Sequence, residues 1–216
     1  QYFSVVSTTP IPQYARIDHN HFLNHWGPTG ASTDPEIGQI GQAQPNTDYF
    51  CLIDSNYIAY HLNNNGTRTA EDESECISNK SRSNAIIHNY FRGCMSRIND
   101  RTATNSLYYA NCIDGGNDDF TAGIDMQTDT MAIANIIMNT NASNLIWRTA
   151  LMWQAGDAPP IADNDYRPAD RAEASFNTLY NVNKPLVLGL GGGVDFADDP
   201  QLYGNAVSRG TDTGNS

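Results

Sequence analysis

Three of the five histidines fall within seven residues, in the string Asp18-His19-Asn20-His21-Phe22-Leu23-Asn24-His25-Trp26. Neutral imidazole nitrogens are good ligands for Zn²⁺ and Cu²⁺, so a loop folding back on itself would let His19, His21 and His25 share one transition-metal ion. A second cluster, Asp114-Gly115-Gly116-Asn117-Asp118-Asp119, sets oxygen donors around two glycines. Such a turn suits a hard Ca²⁺ ion, with Asp114, Asn117, Asp118 and Asp119 as its candidate ligands. The twelfth position from Asp114 is not Glu, which excludes an EF-hand. A glycine run at Gly189, Gly191, Gly192 and Gly193 follows an apolar segment. Only 23 residues remain after it, too few for a dinucleotide-binding βαβ unit. Nucleophile motifs of the G-x-S-x-G and H-E-x-x-H kinds are absent.

Two short resemblances are instructive. Asp18-His19-Asn20-His21 resembles the opening of an HNH-type endonuclease motif, which implies a His that activates water beside a metal. The CxxC pairs of that family are missing, and a net charge of −12 suits a nuclease badly. Residues 114–119 resemble one unit of the glycine- and aspartate-rich calcium repeats of secreted bacterial proteins. Those need many tandem copies, so with one copy and no fixed period the sequence predicts no β-helix.

The elements that must position these residues are read from composition and pattern. The chain has 216 residues, 12 basic against 24 acidic groups and a charged fraction of 17%. The acidic balance argues against nucleic acid or an anionic membrane as partner. No apolar run is long enough to span a bilayer as a helix. Asparagine is abundant, at 24 residues, and favours turns over helix. Four cysteines without a CxxC pair suggest two disulfides in an oxidising compartment, with sequential pairing of Cys51 to Cys76 and Cys94 to Cys112. Sequons at Asn65, Asn79 and Asn141, and a chain that begins at Gln1 as a processed product does, fit an extracellular glycoprotein.

The patterns predict an α+β fold: one loop-rich, disulfide-containing domain over 1–216, with an antiparallel sheet and about three short helices. An irregular segment with a short strand (1–48) leads into a core (49–190) and a Gly/Asp-rich tail (191–216). Residues 47–62 read as a β-hairpin. Ile86, Ile87, Tyr90, Phe91, Cys94 and Ile98 recur at helical spacing and predict a helix over Ser83 to Ile98, with another over Asp170 to Val182. Without catalytic motifs, the expected function is non-enzymatic: an extracellular surface, filament, matrix or capsid subunit, a homo-oligomer or polymer. Its N-terminal strand, with Tyr2, Phe3, Val5 and Val6, would add to the sheet edge of a neighbour, such as the Pro185–Gly193 segment. The alternatives are a secreted metal-dependent enzyme using the histidine cluster, or a carbohydrate-binding module.

Overall fold

The computed structural model describes residues 3–6, 13–23, 36–59, 75–94, 96–118, 121–140, 149–156, 166–190 and 198–208. Every regular element among them is a β-strand, and the strands cycle in fixed order through three sheets. Sheet A holds β1 (Phe3–Val5), β4 (Gly38–Asp48), β7 (Ile77–Arg82), β10 (Ser96–Asp100), β13 (Thr121–Met126), β16 (Leu151–Gln154) and β19 (Leu186–Leu190). Sheet B holds β2 (Arg16–Asp18), β5 (Leu52–Asp54), β8 (Ala85–Ile87), β11 (Leu107–Tyr109), β14 (Met131–Ile133), β17 (Glu173–Ser175) and β20 (Gln201–Tyr203). Sheet C holds β3 (His21–Leu23), β6 (Tyr57–Ala59), β9 (Tyr90–Arg92), β12 (Cys112–Asp118), β15 (Ile136–Thr140), β18 (Thr178–Tyr180) and β21 (Ala206–Ser208). Each strand pairs in parallel with its counterpart one coil later, so the chain winds as a parallel β-helix of seven coils.

One corner dictates the winding. Between sheets B and C every coil places a residue at positive φ followed by an asparagine. The positive-φ residues are His19, Ser55, His88, Ala110, Ala134, Phe176 and Gly204, with φ between 54° and 57° except for Ala110 at 53°. The asparagines are Asn20, Asn56, Asn89, Asn111, Asn135, Asn177 and Asn205. Each side-chain amide donates to the amide oxygen of the next, at 2.9–3.1 Å, from Asn20 through to Asn205. That oxygen also accepts the backbone N–H of the preceding asparagine, as from Asn89 to Asn111 at 3.0 Å. The kinked corner would otherwise bury unpaired peptide groups, and the ladder satisfies them.

Apolar residues stack beside the ladder. Ile53, Ile86, Tyr108, Ala132 and Ala174 line the inside of sheet B, while Ile58, Phe91, Ile113, Ile137 and Leu179 line sheet C, all buried. A buried Ile, Leu or Phe side chain contributes about 1.5–3 kcal/mol, so each of the second to sixth coils adds its own share of core.

The expected α+β architecture is therefore wrong. The described residues of 83–98 form β8, β9 and the start of β10, with corners at Ser83, His88 and Gly93, not a helix. The inward residues Ile86, Asn89, Phe91 and Cys94 sit three, two and three apart because a corner residue interrupts the alternation of strands. That spacing imitates a helical stripe once the asparagine is discounted. Residues 173–180 likewise form β17 and β18, and 52–59 turn a corner between two sheets where a hairpin was expected. Among the described residues there is no helix, hence none long and apolar enough to cross a membrane.

Truncating a middle rung should be expensive. Asn111→Ala removes the acceptor of two buried Asn89 N–H groups and the donor to Ile86 O, and is expected to lower unfolding free energy by roughly 3 kcal/mol in urea denaturation. Asn20→Ala, at the exposed first rung, should cost well under half as much.

Candidate active site

Side chains alternate across sheet A. The in-register residues Ile77, Ile98, Ile124 and Leu151 point into the core, so Ser78, Asn99 and Asp125 line the outer face. Lys80 shares the face of Ser78, and Arg97 and Arg101 share that of Asn99. One residue beyond the Asn79–Asp100 pair, Lys80 and Arg101 stand on neighbouring rungs, tied by the bond from Arg101 N–H to Asn79 O at 2.9 Å. Such rungs lie roughly 4.8 Å apart, which brings an amine and a guanidinium side by side. The Lys80 ammonium pairs with Glu36 at 3.2 Å. Beneath it, Gly41 has φ +76°, and a Cβ there would lie 2.5 Å from Ser81 Cβ, so only glycine lets the second coil come this close.

Next to the cationic pair lies a buried charge cluster. Glu75 is fully inside, accepts a hydrogen bond from Asn99 Nδ2, and leaves Oε2 without a hydrogen-bond partner. Burial raises its carboxyl above the usual range despite the nearby Arg97, Ser78, Asn99 and Arg101. Arg97 faces Asp125 at 3.3 Å and donates to Tyr166 Oη at 3.5 Å. Burial pushes the Asp125 carboxyl up to about 8; Arg97 opposes this, while Asp100 and Glu75 add to it.

Under Lys80 and Arg101, on the inner side of the same strands, Asp100 is enclosed by Asn79, Tyr108 and Thr130, all donating to it. Asn79 also reaches Ser106 at 2.9 Å and accepts from Asn84 at 2.9 Å. Burial raises the Asp100 carboxyl to about 6 against these donors.

The residues singled out in the sequence go elsewhere. His19 is a B–C corner residue whose Nδ1 contacts Asp18 at 3.0 Å, and His21, exposed on β3, packs its ring edgewise on Tyr57; His25 lies outside the described residues. The Asp114 carboxylate on β12 is already taken up by Asn139 at 3.0 Å, Gly116 N–H at 2.9 Å and Tyr90 Oη at 3.2 Å. These donors, with Arg92, outweigh its burial and hold it below the usual range. The backbones of Asn117 and Asp118 continue β12, and Asp119 is outside the described residues. Among the described residues no three His, Cys, Asp or Glu converge on a metal position.

All four cysteines are free thiols, so the expected sequential pairing is not formed. The winding separates the chosen partners: Cys51 opens the sheet B strand of its coil, whereas Cys76 sits at the corner before β7 and shares a thiol hydrogen bond with Cys94. Cys112 begins β12 in sheet C. Asn79, expected to carry a glycan, is fully buried and committed to Asp100 and Ser106; Asn65 and Asn141 lie outside the described residues. The N-terminal strand β1 pairs with β4 of its own chain, and Phe3 and Val5 pack on the core. Val6 is half-buried, and Tyr2 is outside the described residues. Lys80, Arg101, Glu75 and Glu36 escape the sequence reading, which takes Asn79-Lys80-Ser81 for a sequon and passes over its lysine. The available signal is scarcity, for Lys80 is one of two lysines in the chain.

The raised Asp100 carboxyl predicts a pH dependence. Its protonated form is favoured by folding, so this contribution is complete below about pH 4 and is lost as pH rises through about 6, up to about 3 kcal/mol. Asp100→Asn keeps the acceptor for Asn79 and Tyr108 and replaces the charge. Urea unfolding at pH 4.5 and 7.5 should show the variant gaining on the wild-type chain as pH rises.

The fold and this face can be set against known proteins. Among curated proteins, none matches the sequence significantly. Solved structures that share the winding include a mannuronic acid specific polysaccharide family 6 lyase from human gut microbiota, 18% identical with a TM-score of 0.72. That match covers 97% of this chain and 47% of the other. The PL6 family alginate lyase AlyGC is 23% identical over 96% of this chain and 29% of its own, with a TM-score of 0.73. A PL6 alginate lyase in complex with a trisaccharide is 15% identical over 99% and 54%, with a TM-score of 0.71. The chain thus spans about half or less of these proteins, and at such identities they establish the fold. The Chondroitinase B family model matches residues 4–206, nearly the whole sequence. This overturns the expected assembly subunit, and with it self-assembly as the chain's role. The chain belongs to the Chondroitinase B family.

Proposed function

We propose that this chain carries the catalytic face of a secreted polysaccharide lyase that cleaves uronate-containing polysaccharide by β-elimination. The observation that supports it is the placement of Lys80 and Arg101 on adjacent rungs of sheet A, beside the buried acids of a chain belonging to the Chondroitinase B family. Solved proteins of the same fold act on alginate or mannuronic acid, whose units carry the carboxylate this chemistry needs.

The reaction removes the proton on the carbon next to the uronate carboxylate. The electron pair forms a C4=C5 double bond, the C4–O bond to the neighbouring sugar breaks, and the departing oxygen takes up a proton. No water is added. A guanidinium stays protonated, so Arg101 cannot be the base; it suits the substrate carboxylate, whose charge grows as the proton leaves. The Lys80 nitrogen is placed to accept the proton, and Glu36 fixes where it stands. Negative charge builds on the carboxylate in the transition state, where cations already in place act most strongly.

Calcium enters this reading at Glu75. The Asp114 carboxylate is saturated by protein donors, whereas buried Glu75 Oε2 lacks a hydrogen-bond partner and is the kind of hard oxygen donor Ca²⁺ takes. The described residues do not close a site around it. When bound there, the ion would add positive charge on the same face.

Two outcomes test the proposal. Lys80→Ala should cut the rate at which ultraviolet-absorbing unsaturated product appears from alginate or chondroitin sulfate by at least a hundredfold, while Lys184→Ala leaves it intact. Full activity in Lys80→Ala rules out the assignment. For calcium, EDTA should lower the rate and added Ca²⁺ restore it; a rate indifferent to both removes the ion from the reading.

A further inference from the structure

The corner between sheets A and B carries a second row of positive-φ residues: Tyr14, Phe50, Ser83, Asn105, Asp129, Arg171 and Asp199. From the third coil on, the row is polar or charged. In the first two coils it is aromatic, with Tyr14 at φ 60° and Phe50 at φ 50°, a backbone region that bulky side chains seldom occupy. The two rings stack at 5.4 Å with 9° between their planes, yet they remain 74% and 43% exposed. Core packing does not account for them. The corner beneath is firmly built: Tyr14 N–H donates to Tyr49 O at 2.9 Å, and Tyr49 N–H to Arg82 O at 3.0 Å.

This pair adjoins the catalytic face. Arg82 ends β7 two residues after Lys80 on the same side, is about half exposed, and pairs with Asp48 of the second coil at 3.4 Å. Phe50 lies two residues past Asp48. A path along the outer surface thus runs from Lys80 through Arg82 and Asp48 to Phe50 and Tyr14, on the order of 20 Å at strand and rung spacing.

We infer that Tyr14 and Phe50 form a sugar-stacking subsite that holds the uronate polysaccharide one or more units away from the bond being cleaved, with Arg82 receiving a uronate carboxylate. The inference rests on reading sheet A as the lyase face. The chemistry fits on both counts. The C–H face of a pyranose ring stacks on an exposed aromatic plane, and a guanidinium at 47% side-chain exposure is open to a carboxylate from solution. A polyuronate offers the two groups in regular alternation along its length.

The test separates binding from cleavage by measuring alginate and chondroitin sulfate affinity, by titration calorimetry and affinity electrophoresis, in a Lys80→Ala background. Tyr14→Ala and Phe50→Ala should each weaken binding of the preferred polymer about five- to tenfold, and Tyr14→Phe should restore it. Phe176→Ala is the control, an equally exposed corner aromatic at φ 55° on the B–C corner, and should leave affinity unchanged. Circular dichroism and melting curves confirm that each variant is folded. In the active chain the same substitutions should raise KM for polymer and leave kcat within twofold. Unchanged affinity in both aromatic variants overturns the subsite, as does a shift in oligomeric state without loss of sugar binding, which would make the pair a protein interface. Cleavage surviving in Lys80→Ala would sink the assignment of Lys80 as the base alone, because the affinities still decide the platform.

Discussion

The structure depends on one constraint: at every turn of the helix the chain must bend sharply between sheets B and C without abandoning peptide hydrogen bonds in the interior. A residue at positive φ makes the bend, and the asparagine after it repairs the hydrogen bonding by linking to the asparagines above and below. Each amide is both donor and acceptor within a stack of like groups, so no rung is satisfied by itself. The register of the three sheets follows from this seam. Sliding one coil by a single residue would bring a corner residue opposite an asparagine and turn the isoleucine stacks of sheets B and C out of the core.

That fixed register is what makes a charged face possible. The chain is acidic, at −12, which excludes general attraction for a polyanion. Yet Lys80, Arg82, Arg97 and Arg101, a third of the 12 basic residues, all sit on or just beyond two neighbouring strands. Binding of an anionic sugar chain is thus a local matter. Burial makes the Asp125 and Glu75 carboxyls beside them reluctant to ionise, which limits how far these acids offset that positive charge.

Much of this was present in the sequence and hard to read. Seven copies of an apolar residue, two variable positions, asparagine, one variable position and an apolar residue recur, as in Ile53-Asp54-Ser55-Asn56-Tyr57-Ile58 and Ile86-Ile87-His88-Asn89-Tyr90-Phe91. Successive asparagines are separated by 36, 33, 22, 24, 42 and 28 residues, so a search for a fixed period finds nothing. A high asparagine count points to loops, yet here the asparagine amides of the B–C corner form a ladder that ties the coils together. Strands Leu186–Leu190 and Phe3–Val5 were legible as strands because apolar runs of that length suit no other element here. The site was not legible, since Lys80 and Arg101 are 21 positions apart and meet only once the coil length between them is known. The histidine cluster misled for the complementary reason: His19 occupies a bend whose demand is conformational.

Sheet A can hold such a site where sheet B cannot, and strand length shows why. Every strand of sheet B is three residues long, so each coil offers at most two outward side chains there before the chain turns. In sheet A, β7 has six residues and β10 has five, enough for Ser78, Lys80 and Arg82 on one rung and Arg97, Asn99 and, just past the strand, Arg101 on the next. Two long neighbouring strands in fixed register make a two-dimensional array, spaced by about 7 Å along a strand and 4.8 Å between rungs. An elimination needs that geometry, because the base, the charge that steadies the carboxylate and the groups that grip the rest of the polymer must act at separate points on one extended substrate. The interior face of the same strands exchanges isoleucine for Asn79 and Asp100 at the position beneath Lys80 and Arg101. Polar support inside the core at that one level, where apolar stacking would have been the simpler solution, marks where the chain gives up stability to hold a reactive pair in place.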